Sequence, residues 1–190
     1  MRRDGAMRIL AISGSLRAGS SNTALVHACA ALAPEGTEVV VYEGMGDLPH
    51  FNPDLDVEPA PASVADFRRR LKEADAVLIS SPEYAHGMPG TLKNALDWVV
   101  GSAELVWKPV ALVNASPASM FAHAQLLETL TVMTASVVPE ASVTVPLAGR
   151  RLDAAGIVAD PALSSQLRSV LAALAGAAEA SRAAGDPMAG

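Results

Sequence analysis

The chain is poor in several things that would mark other kinds of protein. It has one cysteine in 190 residues, so no disulfide can form within it. Cys29 falls in an apolar helical stretch with no basic partner to be placed beside it, which reads as a buried structural thiol rather than a nucleophile. Basic charge is also short: 14 Lys and Arg against 20 Asp and Glu give a net charge of −6 and a pI near 5.1. That balance argues against nucleic acid or an anionic membrane as a partner. The one basic cluster, Arg68-Arg69-Arg70-Lys72, is interleaved with Asp66, Glu73 and Asp75 and reads as a solvated helix face. No apolar run is long enough for a membrane span, and the leading MRRDGAMRIL has no signal core, which together predict a cytoplasmic protein. The four histidines, His27, His50, His86 and His123, show no metal-ligand spacing, so no metal site is expected.

What the chain does have is apolar residues, 51% of the total, enough to bury the core of one domain. Short β-branched runs alternate with helical segments. Strands are predicted near 7–13, 38–43, 76–81, 109–115 and 136–145, and helices near 21–33, 61–74, 89–101, 119–134 and 161–183. Runs such as AVLIS and PVALVN are apolar throughout, as strands covered on both faces must be. Five strands alternating with five helices imply an α/β doubly wound parallel sheet. The expected organisation is a leader over 1–6, a single domain over 7–183 and a flexible tail over 184–190. The segments 44–61 and 146–161 are predicted to be irregular.

The richest local signal is Met7 to Asn22, where an apolar strand empties into a loop of Ser, Gly and Arg and then a helix. Arg17 next to the positive end of a helix is unfavourable unless an anion joins it. Ser13, Ser15, Ser20, Ser21 and Asn22 add donors, and Gly14 and Gly19 let backbone N–H groups approach closely. A Ser or Asn at such a place often only caps the helix, but five donors plus Arg17 point to a phosphate. The spacing Gly14-x4-Gly19 lacks the lysine of a Walker loop, because Ser20 and Ser21 stand where Lys and Ser/Thr would follow. Leu16 stands where a dinucleotide fingerprint needs its second glycine. A monophosphate held without metal remains.

A second loop, Ser81-Pro82-Glu83-Tyr84-Ala85-His86-Gly87-Met88, follows the third strand, and Pro89 suits the first position of the next helix. In a sheet ordered 2-1-3-4-5 the first and third strands flank the switch point, so both loops would face one ligand. Read together, GSLRAGSSN and PEYAHGMPGTLKNALDW resemble the NADPH-dependent FMN reductase family of flavodoxin-like enzymes, which includes quinone, azo-dye and chromate reductases. The resemblance covers roughly residues 7–145.

The resemblance implies that Ser15, Arg17, Ser20, Ser21 and Asn22 hold the FMN phosphate, and Ser13 is carried with them as a cofactor-binding residue. It implies that Pro82, Glu83, Tyr84, Ala85, His86 and Gly87 run along the isoalloxazine ring. The family's second loop more often reads PEYN, so Ala85 removes an amide beside the ring. The turn after the fourth strand is glycine-rich in many relatives but here reads NASPASM, from which only Ser116 is carried as a contact. His86 is a weak candidate for an acid or redox-tuning group beside the flavin.

The implied activity is an FMN-dependent NAD(P)H oxidoreductase. It would take hydride from NADPH or NADH and pass it, by a ping-pong mechanism, to a small-molecule electron acceptor: a quinone, azo compound, flavin or metal oxyanion. Relatives form homodimers or homotetramers through the helix near 89–101, which makes Trp98 and Trp107 candidate interface anchors. The alternative is a non-enzymatic FMN-binding electron carrier or redox sensor, against which the 4% aromatic content speaks, since a carrier buries its flavin between aromatic rings. A serine hydrolase built on Ser13 or Ser15 lacks a G-x-S-x-G elbow.

Overall fold

The computed structural model describes residues 6–147 and 149–184; apart from Ala6 and Ala184, the expected leader and tail lie outside the described residues. Strand β1 (Met7–Ser13) is central, and its apolar residues alternate between two cores: Ile9 and Ala11 face one, Leu10 and Ile12 the other. Helix α1 (Ser21–Ala31) returns along the first face, followed by β2 (Thr37–Tyr42) at the sheet edge. Helix α2 (Ala62–Glu73), β3 (Ala76–Ser80), α3 (Gly90–Val100), β4 (Pro109–Asn114) and α4 (Met120–Val132) complete the regular alternation. The strand pairings are parallel, as the alternation implies, and the sheet runs β2-β1-β3-β4-β5, the doubly wound order expected from the flavodoxin-like resemblance.

The last sheet position departs from expectation. A single strand over 136–145 was the sequence reading; instead β5 (Ser136–Val137) and β6 (Val143–Thr144) pair separately with β4, and a 3-10 turn, Pro139–Ala141, separates them. Pro139 cannot donate to the ladder. The hydroxyl of Ser142 fills the gap, accepting the Leu112 N–H at 3.1 Å while donating to the Val138 carbonyl at 2.8 Å. A second departure is α5 (Ala154–Ala159) inside the segment read as irregular; Asp153 caps it by accepting the Gly156 N–H at 2.8 Å. The long α6 (Pro161–Ala184) then covers the first face.

The two cores divide the helices. Leu25, Val26 and Cys29 of α1, Ile157 of α5 and Leu167, Leu171 and Leu174 of α6 fill one. Phe67 and Leu71 of α2, Leu92, Leu96 and Val99 of α3 and Leu126 and Leu130 of α4 fill the other. Trp98 is fully buried there, its indole N–H donating to the Pro49 carbonyl at 2.8 Å and its ring meeting Phe51 edge-on. This overturns the reading of Trp98 as an interface anchor, whereas Trp107 is 51% exposed. Cys29 is buried, and desolvation pushes its thiol up to about 12, which leaves it unreactive near neutral pH. Among the described residues no helix is long and apolar enough to cross a membrane.

Candidate active site

The carboxyl ends of β1, β3 and β4 release their loops on one side of the sheet, and the first two loops touch. Gly14 donates its N–H to the Ser80 carbonyl at 2.8 Å. A Cβ on Gly14 would stand 3.0 Å from the Ser81 hydroxyl oxygen and 3.2 Å from Leu92, so glycine is what lets the loops approach. The Ser80 hydroxyl donates to Asn22 Oδ1 at 2.9 Å, tying the start of α1 to β3. Ser13 Oγ lies 2.9 Å from Thr23 Oγ1 and accepts the Ser15 N–H at 3.2 Å. Neither Ser13 nor Ser15 bonds to a histidine among the described residues, so neither has the base a hydrolytic nucleophile needs.

Ser20 is the N-cap of α1 and accepts the Asn22 N–H at 3.2 Å. The N–H groups of Ala18, Gly19, Ser21 and Thr23 donate to no protein acceptor among the described residues. Arg17 is exposed above them; its Nη2 donates to the Gly19 carbonyl at 2.7 Å, and no carboxylate pairs with it. Free amides, a helix N-terminus and an unneutralised guanidinium thus converge on one loop, the arrangement that holds a phosphate.

The second loop forms another wall. Pro82, Glu83 and Tyr84 line the same cleft as Arg17 and Ser20. Glu83 Oε2 accepts the Ala122 N–H at 2.9 Å, capping α4 from outside where its own N-cap, Ser119, makes no side-chain bond. Gln125 Oε1 accepts the Met88 N–H at 2.8 Å. Tyr84 and Gly87 exchange both backbone bonds at 2.9 and 3.0 Å, closing a two-residue turn whose central residues, Ala85 and His86, have φ of +49° and +60°. Both are in the left-handed region, which Asn and Gly adopt readily and Ala does not. The His86 ring stacks on Phe121 at 4.2 Å. Ala85, His86 and Gly87 are not among the residues that line the cleft. Ser13 also lies outside the lining, beneath Ser15.

Ala115, Ser116 and Ser119, after β4, make the third wall. Asn114 shapes it: Oδ1 accepts the Ser116 N–H at 3.0 Å and Nδ2 donates to the Ser119 carbonyl at 3.3 Å. A fourth wall had no counterpart in the sequence reading. Residues 149–154, between β6 and α5, bring Arg150, Arg151 and Asp153 to the cleft. The whole space measures about 1310 Å³.

A family model described as NADPH-dependent FMN reductase matches residues 7–149. The chain belongs to this family. It is 33% identical over 174 residues, 88% of this chain and 93% of its relative, to an NAD(P)H-dependent FMN reductase of Pseudomonas aeruginosa. It is 40% identical over 114 residues, 58% of this chain and 61% of the relative, to a 2-hydroxy-1,4-benzoquinone reductase of a Burkholderia species. Among solved structures it superimposes with a TM-score of 0.74 on FerB, a flavoenzyme NAD(P)H:(acceptor) oxidoreductase of Paracoccus denitrificans, at 29% identity over 92% of this chain and 98% of that one. As a member of the FMN reductase family the chain is an oxidoreductase with FMN as cofactor and NAD(P)H as co-substrate.

The residues present fit that cofactor. A phosphate monoester needs donors without carboxylates nearby, and Arg17 with the Ala18–Thr23 amides supplies them. A ring system needs a lining of low charge, and Pro82, Tyr84, Ala115 and Ser116 border the cleft beside the cradle. Glu83, the one acid on that side, is bonded to the Ala122 N–H and does not compete for the cofactor.

Proposed function

We propose that the chain reduces small-molecule acceptors of the quinone type with NAD(P)H, the two substrates occupying one cleft in turn. The observation that carries this reading is the carboxylate-free cradle of Arg17 and the free amides of Ala18, Gly19, Ser21 and Thr23 at the mouth of a single large cleft. When bound, FMN supplies hydride acceptance from reduced nicotinamide and hydride donation to an acceptor. The protein's part is position. Arg17, Ser15, Ser20, Ser21 and Asn22 would hold the phosphate, with Ser13 bracing the Ser15 turn from below. Pro82, Glu83 and Tyr84 would border the ring on one side and Ser116 on another. The Ala85-His86-Gly87 turn would hold that second wall in place, His86 acting through its stack on Phe121 rather than as a proton donor.

The cleft is open to solvent at Tyr84, which is 56% exposed, and an open ring face suits exchange of two flat substrates. A carrier would cover it. Azo compounds, free flavins and metal oxyanions would enter by the same opening. We further propose that the chain is a cytoplasmic homodimer or homotetramer. Exposed Met120, Phe121, Leu127 and Val132 give α4 an apolar outer face of the kind a subunit contact covers. Light scattering that gives a monomer at micromolar concentration would remove the oligomer from this reading.

The activity is tested by adding NADPH or NADH anaerobically to the FMN-loaded protein. Bleaching of the visible flavin band, followed by its return when a benzoquinone is added, supports the reading. Tight FMN binding with no bleaching by either nucleotide would instead make the chain a carrier or sensor.

A further inference from the structure

Most arginines of the chain are answered by acids. Arg8 pairs with Glu38 and Glu73, Arg68 with Asp56, Arg69 and Arg70 with Asp66, Arg150 with Asp160, and Arg182 with Asp75. Among the described residues only Arg17, Arg151 and Arg168 have no carboxylate partner. Two of those three, Arg17 and Arg151, line the same cleft. Arg17 belongs to the phosphate cradle. Arg151 stands on the wall made by residues 149–154.

Around Arg151 the acids are committed elsewhere. Asp153 accepts the Gly156 N–H and so starts α5. Asp160 takes Arg150 at 2.6 Å and also accepts the Ala162 and Leu163 N–H groups at 3.0 Å, and these bonds hold its carboxyl below the usual range. Arg150 is therefore tethered and keeps the segment in place, while the neighbouring Arg151 guanidinium is exposed and unneutralised. The cleft, at about 1310 Å³, exceeds the roughly 300–1,000 Å³ of a pocket for one small ligand. The cleft is thus larger than one small ligand needs, and its lining includes, apart from the Arg17 cradle, a second arginine with no acid partner. Arginine is the side chain that takes a phosphate monoester through a two-bond fork, and a ribose 2′-phosphate is the only group that distinguishes NADPH from NADH.

We infer that Arg151 forms a second anion subsite in the cleft, which binds the 2′-phosphate of NADPH and makes the protein prefer NADPH to NADH. The inference rests on the reductase reading above. A phosphate monoester at Arg151 has two sources, the NADPH ribose and the FMN tail, and the assay separates them.

Arg151→Ala, Arg151→Lys and Arg168→Ala, the last on the outer face of α6, are compared with the parent protein. Three quantities are read: FMN affinity by fluorescence titration, kcat/KM with each nucleotide, and calorimetric binding of 2′-AMP against 5′-AMP to the flavin-loaded protein. The parent should favour NADPH. In Arg151→Ala the ratio of kcat/KM for NADPH to that for NADH should fall about 10- to 100-fold, mostly through KM, the scale of a hydrogen-bonded charge pair. The same variant should lose its preference for 2′-AMP, Arg151→Lys should recover part of both, and FMN affinity should hold. Arg168→Ala should leave the ratio alone. A parent that uses both nucleotides equally well overturns the inference, as does an equal fall with both. Weakened FMN binding in Arg151→Ala would assign the residue to the flavin phosphate and overturn it too. Those failures leave the reductase reading standing; absence of flavin reduction by either nucleotide removes both.

Discussion

The two ends of the sheet treat charge in opposite ways. At the amino ends of the strands, cations are closed off by anions: Arg8 bonds Glu38 at 3.0 Å and Glu73 at 3.1 Å. There Asp75 accepts the Arg8 N–H at 2.8 Å and the Arg182 guanidinium at 2.9 and 2.5 Å. Lys108 donates to the Ala74 carbonyl at 2.5 Å, and burial holds its ammonium below the usual range while Asp75 and Glu104 act against that shift. At the carboxyl ends, Arg17 and Arg151 have no acid, and four amides at the start of α1 have no acceptor. Charge satisfied internally holds the fold; charge left open waits for a ligand. Apart from the Arg150–Asp160 pair beside the cleft, the two jobs are separated by the length of a strand.

That separation can be broken from either end. The largest effect on stability belongs to Asp75→Ala, which strips partners from Arg182 and the Arg8 N–H at a carboxylate only 14% exposed. It should cost about 2–3 kcal/mol in urea denaturation with FMN affinity nearly unchanged. A loss of FMN binding as large as the loss of stability would show the ends are not independent. Arg17→Ala should do the reverse, weakening FMN binding about 10- to 100-fold in a fluorescence titration while the denaturation midpoint stays put. The smallest effect sharpens the comparison within the open end. Ala85 sits at φ +49°, so Ala85→Asn should stabilise the protein by about 1 kcal/mol, read as a rise in midpoint.

Much of this was legible in the sequence because burial on both faces forces strands to be apolar throughout. The strands over 7–13, 76–80 and 109–114 follow from that, whereas the sheet order came with the flavodoxin-like resemblance of the two loops. The cradle was legible because Ser, Gly and Arg between a buried strand and a helix have few other uses. The break at Pro139 was hidden by the apolar residues flanking it, since Ser142 stands in for a backbone donor and acceptor in a way no pattern announces. Trp98 was misread because a tryptophan on a helix looks the same whether it faces solvent or, as here, Pro49 and Phe51. The wall at 149–154 gave no signal: GRRLDAAG has two arginines close to one acid, and only the fold shows that Asp160, ten residues after Arg150, takes Arg150 and leaves Arg151 open.

The most direct test of the open end is a parallel titration of the flavin-free protein with FMN and with riboflavin, which carries the same ring but no phosphate. If the carboxyl ends of the strands are kept open for a phosphate, FMN binds at least about 100-fold more tightly, the worth of several charge-assisted bonds. Equal affinity for the two would mean that the ring alone is recognised, and the cradle of Arg17 and the α1 amides would lose its assigned purpose.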